Sequence, residues 1–195
     1  MKLSAFALAT LILVANAAQS TAQVASIVTM QNVKIDKVQP AVVTSPQFQV
    51  IGTEPKRVPP ALKWFEIEVE FEVKGVDLVD ELTLKYDVLI NGKLCPGEIT
   101  HINIPKGTGR YSVMYISPRN LDRITGGKPL NIGMIDNIWV TMSRQGQILF
   151  VSSLKGKGVP VPNLPQMPGM LTPKSETPFQ VLWWDRYEAV KLPTR

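Results

Sequence analysis

Apolar and acidic residues alternate without a break from Phe65 to Val73 in the stretch KWFEIEVEFEVK, residues 63–74. Phe65, Ile67, Val69, Phe71 and Val73 share one phase of a two-residue period. Glu66, Glu68, Glu70 and Glu72 share the other. Only a strand sends alternate side chains to opposite faces; a helix would spread the glutamates around its whole surface. At roughly 3.3 Å per residue, the pattern predicts a strand of about 30 Å with a dry face and a solvated acidic face. One wet face argues for an antiparallel sheet rather than a parallel sheet covered on both sides. Burying each apolar side chain is worth about 1.5–3 kcal/mol before entropy is subtracted, so this strand is expected in the core.

The same period recurs on both sides of it. Residues 27–38 form a first strand candidate, interrupted at Pro40 and resumed at 48–51, which is expected to wrap a sheet edge. Pro55, Pro59 and Pro60 make 54–60 a loop. Residues 75–80 separate the acidic strand from a second alternating one, 82–90, whose Lys85 would offset some glutamate repulsion if the two strands were neighbours. Asn91-Gly92 is a strong hairpin signal, because both residues tolerate positive φ. Turns are then expected at Pro96-Gly97 and at 106–109, with short strands at 99–104 and 111–116. Ser117 and Pro118 suit the N-cap and first turn of a short helix that Gly126-Gly127 would end. Residues 138–142 and 147–154 form a hairpin turning at 144–146. Seven to nine strands at this spacing predict an all-β, immunoglobulin-like antiparallel β-sandwich over 24–154. An antibody-type domain is excluded, because the cysteine pair around a central tryptophan is missing.

The pattern breaks at 155–177, where Pro160, Pro162, Pro165, Pro168 and Pro173 favour an extended linker or a strap laid along the surface. Residues 178–195 follow as an aromatic terminal segment. Thr177-Pro178-Phe179-Gln180 reads as a capping box, and Phe179, Leu182, Trp183, Tyr187 and Val190 fall at helical spacing. The expectation is a short terminal helix, with a terminal strand as the alternative.

Composition narrows the setting. Residues 1–17 read as a signal peptide: Lys2, an apolar run over 6–14, and an Ala15-Asn16-Ala17 cleavage site, with a second cut site near Ala22. The chain is therefore expected to be exported, to the periplasm or the outer cell surface. No later stretch has the roughly 20 apolar residues of a membrane span. Cys95 is the only cysteine of the 195 residues, so the core rather than internal disulfides must carry stability. It reads as a buried, inert thiol, with pairing between chains as the alternative. The net charge of +5 is dispersed without a lysine/arginine run, which argues against a nucleic-acid site.

Little of the chain suggests catalysis. His101 is the only histidine, so a zinc site of several histidines or cysteines is excluded. It lies mid-strand, and no G-x-S-x-G elbow accompanies it. The four glutamates lie on one flat face instead of facing one another across a cleft, and read as a solvated face that resists aggregation. The glycine stretches 106–110 and 126–128 lack phosphate-loop spacing. No cofactor, metal or catalytic residue is expected. The candidate binding residues are Phe179, Trp183, Trp184, Arg186 and Tyr187, whose rings suit either a protein partner or a stacked sugar, or else dock on the chain's own sandwich.

The acidic strand 63–74, the hairpin 138–154, and the proline strap ending in PFQVLWWDRYEAVK together resemble small secreted immunoglobulin-like proteins encoded beside type IV pilus-like genes in Akkermansia-type Verrucomicrobia. The resemblance implies a non-enzymatic envelope or pilus-associated protein, and carries over no functional residue. The expected partners are other copies of the chain or surface-fibre and envelope proteins. The expected mechanism is edge-strand pairing, or docking of the proline-rich arm and aromatic tail into a neighbour. The alternative is a carbohydrate or host-surface binding module using Trp183, Trp184 and Tyr187.

Overall fold

The computed structural model describes residues 28–48, 60–156, 158, 163–182 and 186–192. The signal peptide and its two cleavage sites lie outside these residues, as do Trp183 and Trp184. Six strands appear among them: β1 (Val33–Thr44), β2 (Lys63–Ile90), β3 (Lys93–Ile116), β4 (Ile135–Arg144), β5 (Gln147–Ser153) and β6 (Leu171–Pro173). One helix, α1 (Pro118–Thr125), follows β3. All strand pairings are antiparallel, in the order β5-β4-β2-β3-β6, with β1 also on β2.

Fewer strands than expected build the sandwich because two of them do the work of four. The segments 75–80 and 106–109 were expected as breaks, yet β2 runs for 28 residues and β3 for 24. Pro96-Gly97 likewise lies within β3 instead of turning the chain. The β2–β3 register slips between Phe71, Val73 and Leu78, where the hairpin bends and folds over on itself. Its first layer joins β1, residues 63–73 of β2, residues 107–116 of β3, and β6. Its second joins residues 78–90 of β2, residues 93–105 of β3, β4 and β5. Phe65, Ile67, Val69 and Phe71 from the first layer meet Leu82, Leu84, Val88 and Ile138 from the second, each fully buried in one core. The dry face of the acidic strand is therefore the core face that its period predicts.

Local signals hold where the backbone alone decides them. Asn91 and Gly92 take positive φ (51° and 70°) in the β2–β3 turn. Ser117 accepts a hydrogen bond from the Asn120 amide at the start of α1, Pro118 occupies the first turn, and Gly126 ends the helix in the left-handed region. The β4–β5 hairpin turns at Gln145-Gly146. β1 begins later than expected and runs through Pro40, which sits opposite Ile67. β2 is the one described strand that pairs with β1, and an edge strand is where a proline is tolerated.

The terminal helix is not formed. Thr177 does cap Pro178–Val181, accepting from the Phe179 amide at 3.2 Å, but the helix stops after one 3-10 turn. Beyond it, Tyr187 and Val190 bridge to Tyr111 and His101 of β3, so the strand-like alternative is the better description. The reason is competition: the unpaired edge of β3 offers backbone partners that an isolated short helix cannot match.

Candidate functional site: the tail on the glutamate face

The outward side chains of the first layer follow from the register. Glu66 lies opposite Tyr115, Glu68 opposite Val113 and Glu70 opposite Tyr111. On the other side, Lys37 faces Glu70 and Lys34 faces Glu72. These lysines, not Lys85, lie across from the glutamates; Lys85 pairs with Asp87 in the other layer at 3.0 Å. Trp64 shares the outward phase with the glutamates. The acidic face is thus edged by aromatic and apolar groups, and the expected solvated face is half-buried beneath the tail.

Three rings form a second, smaller core there. Phe179 stacks on Tyr115 with centroids 4.6 Å apart and meets Trp64 edge-on at 5.8 Å. Val113 completes the buried cluster, and Leu182 and Tyr187 pack against it. Glu68 holds the next part of the tail. It accepts from Arg186 Nη2 at 2.6 Å and from the Tyr187 hydroxyl at 2.9 Å. The Arg186 guanidinium also lies 3.8 Å over the Tyr111 ring. Burial pushes Glu66 above the usual carboxylate range, opposed by its contact with Tyr115. Burial likewise raises the phenols of Tyr115 and Tyr187.

The backbone adds a ladder. Glu188 N donates to Tyr111 O (3.0 Å), Ile102 N to Ala189 O (3.0 Å) and Lys191 N to Thr100 O (2.8 Å). Upstream, the strap brackets Leu94, which donates to Pro165 O and accepts from Met167 N, both at 2.8 Å. β6 then pairs with residues 114–116 of β3. Its close approach needs Gly97, where a Cβ would stand 2.7 Å from Leu171 Cβ.

His101 fastens the tail from inside. Its Nδ1 lies 3.1 Å from Glu188 O and 3.3 Å from Ala189 O, and carbonyls only accept, so Nδ1 carries the proton. A neutral ring then leaves Nε2 as an acceptor for the Ser112 hydroxyl at 2.7 Å, and Ser112 accepts from Tyr86 OH at 2.7 Å. Burial holds the imidazole below its ordinary pKa, although the two carbonyls work the other way. The serine–histidine pair has hydrogen-bond geometry suited to nucleophile activation, and both residues are buried, His101 1% exposed and Ser112 0%. Its chemistry here is to orient the ring that holds the tail.

Of the candidate residues, Phe179 is buried, Tyr187 is half-buried with its hydroxyl on Glu68, and Arg186 lies on Glu68 and Tyr111. These three bind the chain's own sheet. Sequence reasoning missed Trp64, Glu68, Tyr111 and Tyr115 as their partners. The signal was available in the outward phase of 111–115, which carries Tyr111, Val113 and Tyr115 where a wet face would carry polar groups. Cys95 is fully buried and unpaired, and burial pushes its thiol up to about 11, as suits an inert thiol. Among the described residues, no cluster of three or more potential metal ligands occurs, and no helix is long and apolar enough to cross a membrane.

The fold is shared. A crystal structure of a protein from Akkermansia muciniphila superposes with a TM-score of 0.74 at 24% identity, covering 84% of this chain and 94% of that one. No curated protein matches the sequence. A protein-family model matches residues 24–194, from the start of the expected sandwich to the end of the tail, and the chain belongs to the family that this model describes.

Proposed function

We propose that this is an exported, non-enzymatic envelope protein, pilus-associated as its resemblance implies, that acts by protein–protein assembly through the free edge of β5. The observation that carries this reading is the unequal treatment of the sheet edges. The edge of β3 is taken by the strap and tail. β1 is blunted by exposed Lys34 and Lys37 and by Pro40; a register shift is common to both edges, at Ile35/Lys37 in β1 and at Leu149 in β5. β5, QILFVSS, has no charge and no proline, and exposes Ile148 (53%) and Val151 (38%). No described residue pairs with its outer edge. Such an edge is a template for another strand.

Cross-linking of the native cell envelope, followed by mass spectrometry, tests this. Links from residues 147–153 to a second copy or to an envelope protein are expected. No protein link, where known complexes do cross-link, would overturn it. Of the sugar-binding alternative's Trp183, Trp184 and Tyr187, the last is part-buried with its hydroxyl on Glu68, and the two tryptophans lie outside the described residues.

A further inference from the structure

We infer that the groove filled by residues 166–182 and 186–192 is an exchangeable docking site, and that its second occupant is the same tail of another copy. This rests on the proposed pairing through β5. The tail is held as a bound peptide is held: short stretches of backbone pairing along one strand edge, one ring pocket for Phe179, and a carboxylate, Glu68, for Arg186 and Tyr187. None of these contacts depends on which chain supplies the tail.

The tether between body and tail has length to spare. Leu154 is fixed to Ile138 of β4, and Pro165 to Leu94 of β3. Ile138 lies opposite Val88, which lies opposite Cys95, so both anchors are at the same level of the sheet. From the line of β5 to the strap is four strand spacings, about 19 Å at roughly 4.8 Å each. Lys155 is also held, its N–H and C=O both bonded to Asn137, and the ten Cα steps from Lys155 to Pro165 reach about 33 Å when extended. In a two-fold pair joined antiparallel through β5, the partner's groove is five spacings away, about 24 Å, and up to about 20 Å along the strands. The diagonal of about 31 Å is within that reach. Within one chain the tail enjoys an effective concentration of about millimolar, so exchange is expected only once β5 pairing has brought a second groove equally close. Reciprocal exchange would then lock the pair.

Ile102 and Ala189 are hydrogen-bonded neighbours across the β3–tail ladder, so cysteines at both positions report which chain supplies the tail. The experiment uses the full chain with Ile102→Cys and Ala189→Cys, and Cys95→Ser to remove the native thiol. It is concentrated until oligomers form, mildly oxidised, and run without reductant beside its native mass. The expected result is that most of the oligomer runs as a covalent dimer, and that adding Ile148→Lys and Val151→Lys returns it to monomer. An oligomer whose chains all run as monomers would overturn exchange while leaving assembly intact. A chain that is monomeric before oxidation and stays so would overturn both.

Discussion

β3 and β5 present comparable hydrogen-bonding edges but opposite surroundings. β3 carries the strap at Leu94, β6 at Met114–Ile116, and the tail at His101 and Tyr111. β5 has no described partner on its outer side, no charged residue, and two exposed apolar side chains. Residues 165–182 and 186–192 cover one edge, and no described residue pairs with the outer side of the other. A protein that avoided all association would have guarded β5 with a lysine or a proline, as it guards β1. The difference separates a covered edge from one open to pairing.

Four changes would break or sharpen that contrast, and the largest effect is expected in the ring pocket. Phe179→Ala removes the central ring of the Trp64–Tyr115–Phe179 cluster, and should lower unfolding stability by about 3–5 kcal/mol in a urea titration. It should also expose β3 and promote aggregation.

Replacing the latch comes next. His101→Leu removes the Nδ1 donor from the Glu188 and Ala189 carbonyls and the acceptor of the Ser112 hydroxyl proton, and should cost about 2 kcal/mol. The latch also predicts a pH dependence. Burial lowers the folded pKa of His101 below its ordinary 6.5, so the unfolded chain binds the proton more readily. The stability it contributes is present above about 6.5 and is lost as pH falls through the lowered folded value. Glu66 and Glu188, raised above 4.5 by burial, act with the opposite sign: their contribution is present below 4.5 and lost as pH rises through their folded values. His101→Gln keeps a donor and an acceptor without ionising. The difference between the wild-type and His101→Gln stability curves should therefore fall away on the acid side only.

Arg186→Ala should cost less than about 1 kcal/mol, because its side chain is 57% exposed and solvent screens its pair with Glu68. Smallest of all, Ile148→Lys with Val151→Lys should change monomer stability by no more than about 0.5 kcal/mol per site, since both are exposed. An effect on stability as large as that of Phe179→Ala would place β5 in the core and erase the contrast.

How much of this was legible depended on the range of the interactions involved. The period of 63–74 and the turn at Asn91-Gly92 are local, and both read correctly. The bends in β2 and β3 were misread as breaks, because glycine and proline mark a change of direction without saying whether pairing continues through it. The tail was misread as a helix because Phe179, Leu182 and Tyr187 suit a helical face equally well. What decides is the unpaired edge of β3, some eighty residues away in sequence. His101 looked like an ordinary packed histidine, and only the fold brings Tyr86, Ser112 and the Glu188 carbonyl to it. Likewise, nothing in QILFVSS distinguishes an assembling edge from a central strand until its neighbours are known.

We propose β5 as the edge that starts assembly, while β3 is the edge that a tail covers. Native mass spectrometry of the wild-type chain beside the Ile148→Lys/Val151→Lys variant tests it most directly. Oligomers are expected for the wild type, and for the variant monomers within about 0.5 kcal/mol per site of wild-type stability. Oligomers that survive both lysines would contradict it.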